Sequence, residues 1–214
     1  MKTINILFDL DGTLIDSTDA ILESFDVAYK TMNYDKPYND LIKAQIGHPL
    51  DDMFRTLGAK SEDVDNLVYH YKMHYRQINQ AMTTLLPNAT EAVIEASKVA
   101  NLAVVTTKTS QYSIELLKHL GIFDYFDAFV GRDDVEHPKP HPQPVLKALK
   151  LLNNDYPSWM IGDTCMDMDS AKAANIHAVG VECGYISKKE LEKCSNIIKS
   201  NALHAVREIV SYNM

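Results

Sequence analysis

The chain predicts an α/β fold: a mostly parallel sheet with flanking helices, plus a small inserted all-helical domain. Three observations predict it. Short apolar runs bounded by turn residues recur along the chain, amphipathic stretches at helical spacing separate them, and one long interval holds helical patterns without a buried strand. At 214 residues the chain is long enough for one sizeable core or for a core carrying a smaller insertion. A composition of 46% hydrophobic and 23% charged residues belongs to a folded globular protein, not a disordered one.

The first strand is read at 4–8, INILF, an apolar run broken by Asn5. Next, Ile21, Leu22, Phe25, Ala28, Tyr29 and Met32 recur at helical spacing, as do Val64, Leu67, Val68, Tyr71, Tyr75 and Ile78, with Gly47 and Gly58 punctuating the stretch between them. We read 16–86 as the helical insertion, and 1–15 with 87–214 as the α/β core. The core resumes with a helix at 90–100, a strand at 102–106, a helix at 110–120 and a strand at 128–130. A helix at 142–152, a strand at 159–161, a helix at 167–174 and a strand at 178–181 complete the alternation. In sheets built this way, ligands sit at the carboxyl ends of the strands.

Composition also restricts partners. The formal net charge is -8, with 29 acidic against 21 basic residues, so the overall field does not favour a nucleic-acid backbone or an anionic membrane. A small anionic substrate then needs locally placed cations. Cys165, Cys183 and Cys194 form no C-x-x-C pair, so neither a disulfide framework nor a zinc site is expected; Cys165 reads as a packing thiol and the compartment as reducing. The apolar run 4–10 lacks the h-region and cleavage pattern of a signal peptide, and no stretch approaches the roughly 20 apolar residues of a membrane span. The expectation is a cytoplasmic monomer or homodimer with no nucleic-acid or membrane partner.

The chemistry concentrates at strand ends. In Phe8-Asp9-Leu10-Asp11-Gly12-Thr13, residues two apart on a strand share a face, so Asp9 and Asp11 start as neighbours that repel unless a cation lies beside them. Gly12 lets the backbone turn tightly. Asp-Gly alone is ordinary turn chemistry, but D-x-D-G-T fixes four positions and asks for a hard cation, an anionic ligand, or both. Leu102-Ala103-Val104-Val105 runs into Thr106-Thr107-Lys108, which brings hydroxyls and backbone N–H groups to a second strand end. Trp159-Met160-Ile161 runs into Gly162-Asp163-Thr164, followed by Asp167 and Asp169, while prolines stiffen His137-Pro138-Lys139-Pro140-His141-Pro142 around one lysine. Those prolines also prevent an i, i+4 metal pair from His137 and His141, which read as surface-loop residues.

The segments FDLDGT, VVTTK, the KPHP lysine and GDTCMD, in this order and spacing, resemble the four motifs of the haloacid dehalogenase-like superfamily of phosphohydrolases. The likeness implies a Rossmann-like core and makes the insertion similar to that family's C1 cap. GRDDVEHPKPHP and QIGHPLDDMF narrow it towards the phosphoglycolate phosphatase-like group, which also includes pyrophosphate-hydrolysing members. The resemblance implies Asp9 as nucleophile, Asp11 as general acid and base, and Mg²⁺ held by the Asp9 side chain, the Asp11 backbone carbonyl and Asp163, with Asp167 acting through water. It further implies phosphoryl contacts from Lys139, the Thr106 hydroxyl and the Thr107 N–H. Many relatives have asparagine where Thr107 stands, and a backbone donor survives that difference.

The implied substrate is a small phosphorylated metabolite of phosphoglycolate or pyrophosphate type. Alternatives on the same scaffold are a sugar phosphomutase, whose members commonly carry valine where Thr13 stands, and a non-catalytic phosphate- and Mg²⁺-binding regulator. A dehalogenase would not need the acid at Asp11. Within the insertion, Gly47-His48-Pro49 interrupts the helical pattern, so His48 and Arg55 are the first candidates for reading the leaving group, followed by Arg76. Lys108 is a further candidate to reach the site.

Overall fold

Residues 2–152 and 155–213 are described by a computed structural model of the chain. These residues form two compact units, one from residues 2–16, 85–152 and 155–213 and one from 17–84.

In the first unit, β1 (Ile4–Phe8) lies at the centre of a sheet. It pairs in parallel with β4 (Ala100–Val105) on one side and β6 (Ser158–Gly162) on the other. Beyond these lie β5 (Ala128–Val130), next to β4, and β7 (His177–Val181) and β8 (Ile198–Lys199), next to β6, all parallel. The order β5-β4-β1-β6-β7-β8 makes β1 the point where chain order reverses, which opens a crevice at its carboxyl end. The two-residue strands β2 (Ile15–Asp16) and β3 (Thr84–Leu85) mark where the chain passes between the units.

Both sheet faces are covered, which is why the strands read as continuous apolar runs. Ile4, Ile6 and Phe8 of β1 face a cluster with Leu102, Val104, Trp159 and Ile161. That face is covered by α5 (Ala89–Ser97), α6 (Ser110–His119) and α10 (Ala202–Tyr212). Leu7, Ala103, Val105 and Met160 face the other way, against α7 (Gln143–Leu151) and α8 (Cys165–Ala173). Asn5 stays inside because its amide donates to Ser158 Oγ at 3.1 Å and its oxygen accepts from Asn101 at 3.1 Å.

The helix expected at 90–100 stops at Ser97, because Val99 turns back onto Ala96 and Ala100 already pairs with Ile4. Past Val181 the chain adds α9 (Lys188–Leu191), β8 and α10, where the sequence reading placed nothing. The Asn201 side chain accepts from the His204 N–H and starts α10, whose Ala202, Ala205, Val206 and Ile209 recur at helical spacing inside the core.

The second unit is helical: α1 (Thr18–Thr31), α2 (Asn39–Lys43), α3 (Leu50–Thr56) and α4 (Val64–Met82). Its core is aromatic. The Phe25 ring lies 4.6 Å from Phe54 and 5.2 Å from Tyr71, and Tyr29 lies 5.6 Å from Phe54, centroid to centroid.

Candidate active site

Parallel register sets the site. Phe8 is level with both Val104 and Ile161, so the residues just past β1, β4 and β6 emerge side by side: Asp9, Thr106 and Asp163. The Asp9 N–H still donates to the Ile161 carbonyl at 2.8 Å, which fixes the start of the loop. Gly12 then adopts φ +79°, a conformation open to glycine, and its N–H donates to the Ile15 carbonyl at 2.9 Å.

Asp9 is 4% and Lys139 3% exposed. The Lys139 ammonium donates to Asp9 Oδ1 at 2.7 Å, to Asp167 Oδ1 at 2.6 Å and to the Val105 carbonyl at 3.0 Å. Three acceptors use all three of its protons. Asp167, in the first turn of α8, also accepts on Oδ2 from the Thr164 N–H at 3.1 Å and the Thr164 hydroxyl at 2.7 Å. Asp163 accepts from the Tyr185 N–H at 2.9 Å and from the Thr13 hydroxyl at 3.4 Å. Carboxylate oxygens of Asp9, Asp163 and Asp167 all lie within 4.8 Å of one another.

Three buried carboxylates around one ammonium leave negative charge in excess. Burial pushes Asp9 from the usual 3.8 up to about 7, opposed by Lys139 and reinforced by Asp167 and Asp11. Burial, then the charges of Asp9 and Asp167, hold Asp163 well above the usual carboxylate range. Burial works against the charge of Lys139, but Asp167 and Asp9 together outweigh it and keep the ammonium above the usual lysine range. A dense, buried, all-oxygen donor set fits a hard divalent cation such as Mg²⁺, whose charge would offset the excess.

Asp11 is buried, and its Oδ1 lies 3.2 Å from the Lys108 ammonium. Thr106 is buried and its hydroxyl oxygen accepts from the Lys108 N–H at 3.1 Å, while Thr107 follows half-buried in the same loop. Asp9, Asp11, Thr106, Thr107, Lys139, Asp163 and Asp167 all belong to the first unit; His48 and Arg55 belong to the second. There, His48 is exposed between α2 and α3, and the exposed Arg55 holds Asp51 and Asp52 of its own helix at 2.7 and 3.1 Å. Arg76 is exposed on α4. His137 and His141 are exposed in the proline-rich loop, their ring centroids 4.8 Å apart.

One cysteine expectation is overturned. Cys165 is not a packing thiol: it forms a disulfide with Cys194, with Cα atoms 5.6 Å apart. A separation of 29 along the sequence carries no spacing signal; the parallel pairing of β6 with β7 carries the segment after α9 back to the start of α8. Cys183 stays a thiol. It donates to the Gly12 carbonyl at 3.4 Å, and burial pushes it up to about 11.

Sequence reasoning also missed the wall that holds Asp163. A Cβ added to Gly184 would collide with the Asp163 carboxylate, and one on Gly12 would meet Asp163 Cγ at 2.7 Å. A glycine just past β7 was the available signal, and it becomes meaningful only beside Asp163 in space.

Residues 6–181 match the family described as haloacid dehalogenase-like hydrolase. Pyrophosphatase PpaX of Halalkalibacterium halodurans is 35% identical over 198 residues, covering 89% of this chain and 87% of that protein. Pyrophosphatase PpaX of Bacillus pumilus is 35% identical over 189 residues, covering 84% of each. The solved structure of a haloacid dehalogenase-like family hydrolase from Streptococcus pneumoniae superposes with a TM-score of 0.84 at 26% identity, covering 100% of this chain and 99% of that one. A family match that runs from β1 through β7, with Asp9, Thr106, Lys139 and Asp163 gathered at the strand ends it spans, means that the chain belongs to the haloacid dehalogenase-like hydrolase family.

Proposed function

We propose that this haloacid dehalogenase-like phosphatase hydrolyses a small phosphorylated metabolite through an aspartyl-phosphate on Asp9. The observation that carries the reading is Lys139 bridging Asp9 and Asp167 beside Asp163: a buried carboxylate aimed into a site that demands further positive charge. Asp9 attacks phosphorus and splits one difficult hydrolysis into two easier steps. Asp11 gives its proton to the departing oxygen, then takes one from the water that cleaves the aspartyl-phosphate. Lys139 offsets charge on the nucleophile and the phosphoryl oxygens, and the Thr106 hydroxyl and Thr107 N–H orient those oxygens.

Asp9, Asp163 and Asp167, with the Asp11 backbone carbonyl, would hold Mg²⁺, which when bound supplies charge neutralisation for a dianionic phosphoryl group. His48 and Arg55 are the residues of the helical unit to vary first for an effect on substrate preference. The PpaX relatives support pyrophosphate as a substrate, and the motif resemblance supports phosphoglycolate.

The test is phosphate release with Mg²⁺ across pyrophosphate, phosphoglycolate, sugar phosphates and nucleotides, ranked by kcat/KM. Asp9→Asn should abolish turnover while the protein stays folded, because the amide cannot attack. Retained activity in that variant would remove Asp9 from its role.

A further inference from the structure

Lys108 brings a second cation to the site, and it meets the other member of the aspartate pair. Lys139 is committed to Asp9 and Asp167, whereas the Lys108 ammonium lies 3.2 Å from Asp11 Oδ1. A lysine at the start of a helix ordinarily extends into water. This one is 17% exposed and turned against a buried carboxylate.

Its backbone is fastened on both sides. The Lys108 N–H donates to Thr106 Oγ1 at 3.1 Å, and the Lys108 carbonyl accepts from the Arg132 N–H at 2.8 Å. Two residues on, the Ser110 N–H donates to Asp133 Oδ1 at 2.7 Å and its hydroxyl donates to Asp134. Gly131 permits this approach, since a Cβ there would lie 2.7 Å from the Lys108 carbonyl oxygen. The loop is therefore built around the lysine, with its side chain directed at Asp11.

The position has a chemical meaning that rests on the phosphatase reading above. A general acid must stand at the oxygen that leaves, so a cation one hydrogen bond from Asp11 is beside the leaving group and not beside the transferred phosphoryl group. We infer that Lys108 recognises a negative charge on the leaving group. The substrate class is then a phosphoryl group joined to a second anion, a phosphoanhydride or a phosphorylated hydroxy acid, in preference to the ester of a neutral alcohol. In the reaction an Asp9 oxygen bonds to phosphorus, the bond from phosphorus to the bridging oxygen breaks, and that oxygen takes the Asp11 proton. Water then attacks the aspartyl-phosphate, its proton passes to Asp11, and inorganic phosphate leaves. Lys108 makes and breaks no covalent bond; it pairs with the anion of the departing fragment.

The test compares 2-phosphoglycolate with 2-hydroxyethyl phosphate, which differ in a carboxylate against a hydroxymethyl group. The wild-type protein should prefer the anionic substrate by kcat/KM. In Lys108→Met the ratio of the two kcat/KM values should fall about 10- to 100-fold, the worth of one hydrogen bond to a charged group. Lys108→Arg, which keeps the charge, should recover most of the ratio. Methylenediphosphonate, a non-hydrolysable anhydride analogue, should weaken as a competitive inhibitor of Lys108→Met by a similar factor, which reads binding apart from turnover. A ratio within about twofold of wild type in Lys108→Met would reduce Lys108 to a positioning partner of Asp11 and overturn the inference. A wild-type protein that releases phosphate from neither ester, nor from any other phosphate compound, would instead sink the phosphatase reading and this inference with it.

Discussion

Asp9 and Asp167 share the ammonium of Lys139 with Asp163 close by, and burial raises the carboxyls of Asp9 and Asp163. A carboxyl whose folded value is raised binds its proton more tightly when folded than when unfolded. The stability it contributes is fully present below the unfolded value and is lost as pH rises through the folded one. For Asp9 that window runs from 3.8 to about 7, and Asp163 moves in the same direction. The metal-free protein should lose stability across this window. A divalent cation favours the ionised carboxylates, so added Mg²⁺ should raise Tm more at about pH 8 than at about pH 5. Scanning calorimetry at both values checks this; an equal gain at both would mean the carboxylates are already ionised without metal. The residues themselves were readable from types and order along the chain. That Lys139 also holds Asp167, that Thr13 and the Tyr185 N–H hold Asp163, and that Lys108 faces Asp11 were not, because each contact joins segments between 22 and 150 residues apart.

Helices and loops around β6 and β7 decide how firmly the acidic cluster is held. The segment after β7 supplies the Tyr185 N–H and the close pass of Gly184 against Asp163. Gly184→Ala should displace that carboxylate and weaken Mg²⁺ binding about 10- to 100-fold, as removal of supporting contacts does in metal sites. A Mg²⁺ titration followed by activity and by thermal shift checks it, and unchanged affinity would show that the loop can yield. The Cys165–Cys194 disulfide ties the start of α8 to the segment after α9, closing a loop of 29 residues. Its removal should cost about 3–4 kcal/mol by the chain-entropy argument. Urea unfolding of the wild type with and without a reducing agent, alongside Cys194→Ser, measures this. Identical midpoints would mean that the bond adds nothing. Strands β1, β4, β5, β6 and β7 were legible because burial on both faces makes them continuous apolar runs. The end of α5 was not, since Val99 and Ala100 continue a helical apolar pattern while Ala100 belongs to the next strand.

Across the whole chain, two units carry separate cores: a sheet covered on both faces and a helical set packed on aromatic rings. Phe25→Ala should cost about 3–5 kcal/mol, because it empties the space between Phe54 and Tyr71. Hydrogen exchange should then show amides of α1 and α4 losing protection by about 100-fold or more while β1, β4 and β6 keep theirs. Equal loss in both units would mean that they unfold as one block. The sequence by itself determined the α/β alternation, the helical interval and the identities of the acids, hydroxyls and lysine at strand ends, because hydrophobic period and strand-end chemistry are local properties. Only the tertiary structure decided which of those groups meet. Parallel register sets Asp9, Thr106 and Asp163 side by side, and the β6-to-β7 pairing returns Cys194 to Cys165 and Gly184 to Asp163. The physical reason is that charge compensation depends on distance in space, and distance is fixed by strand order and burial rather than by separation along the chain.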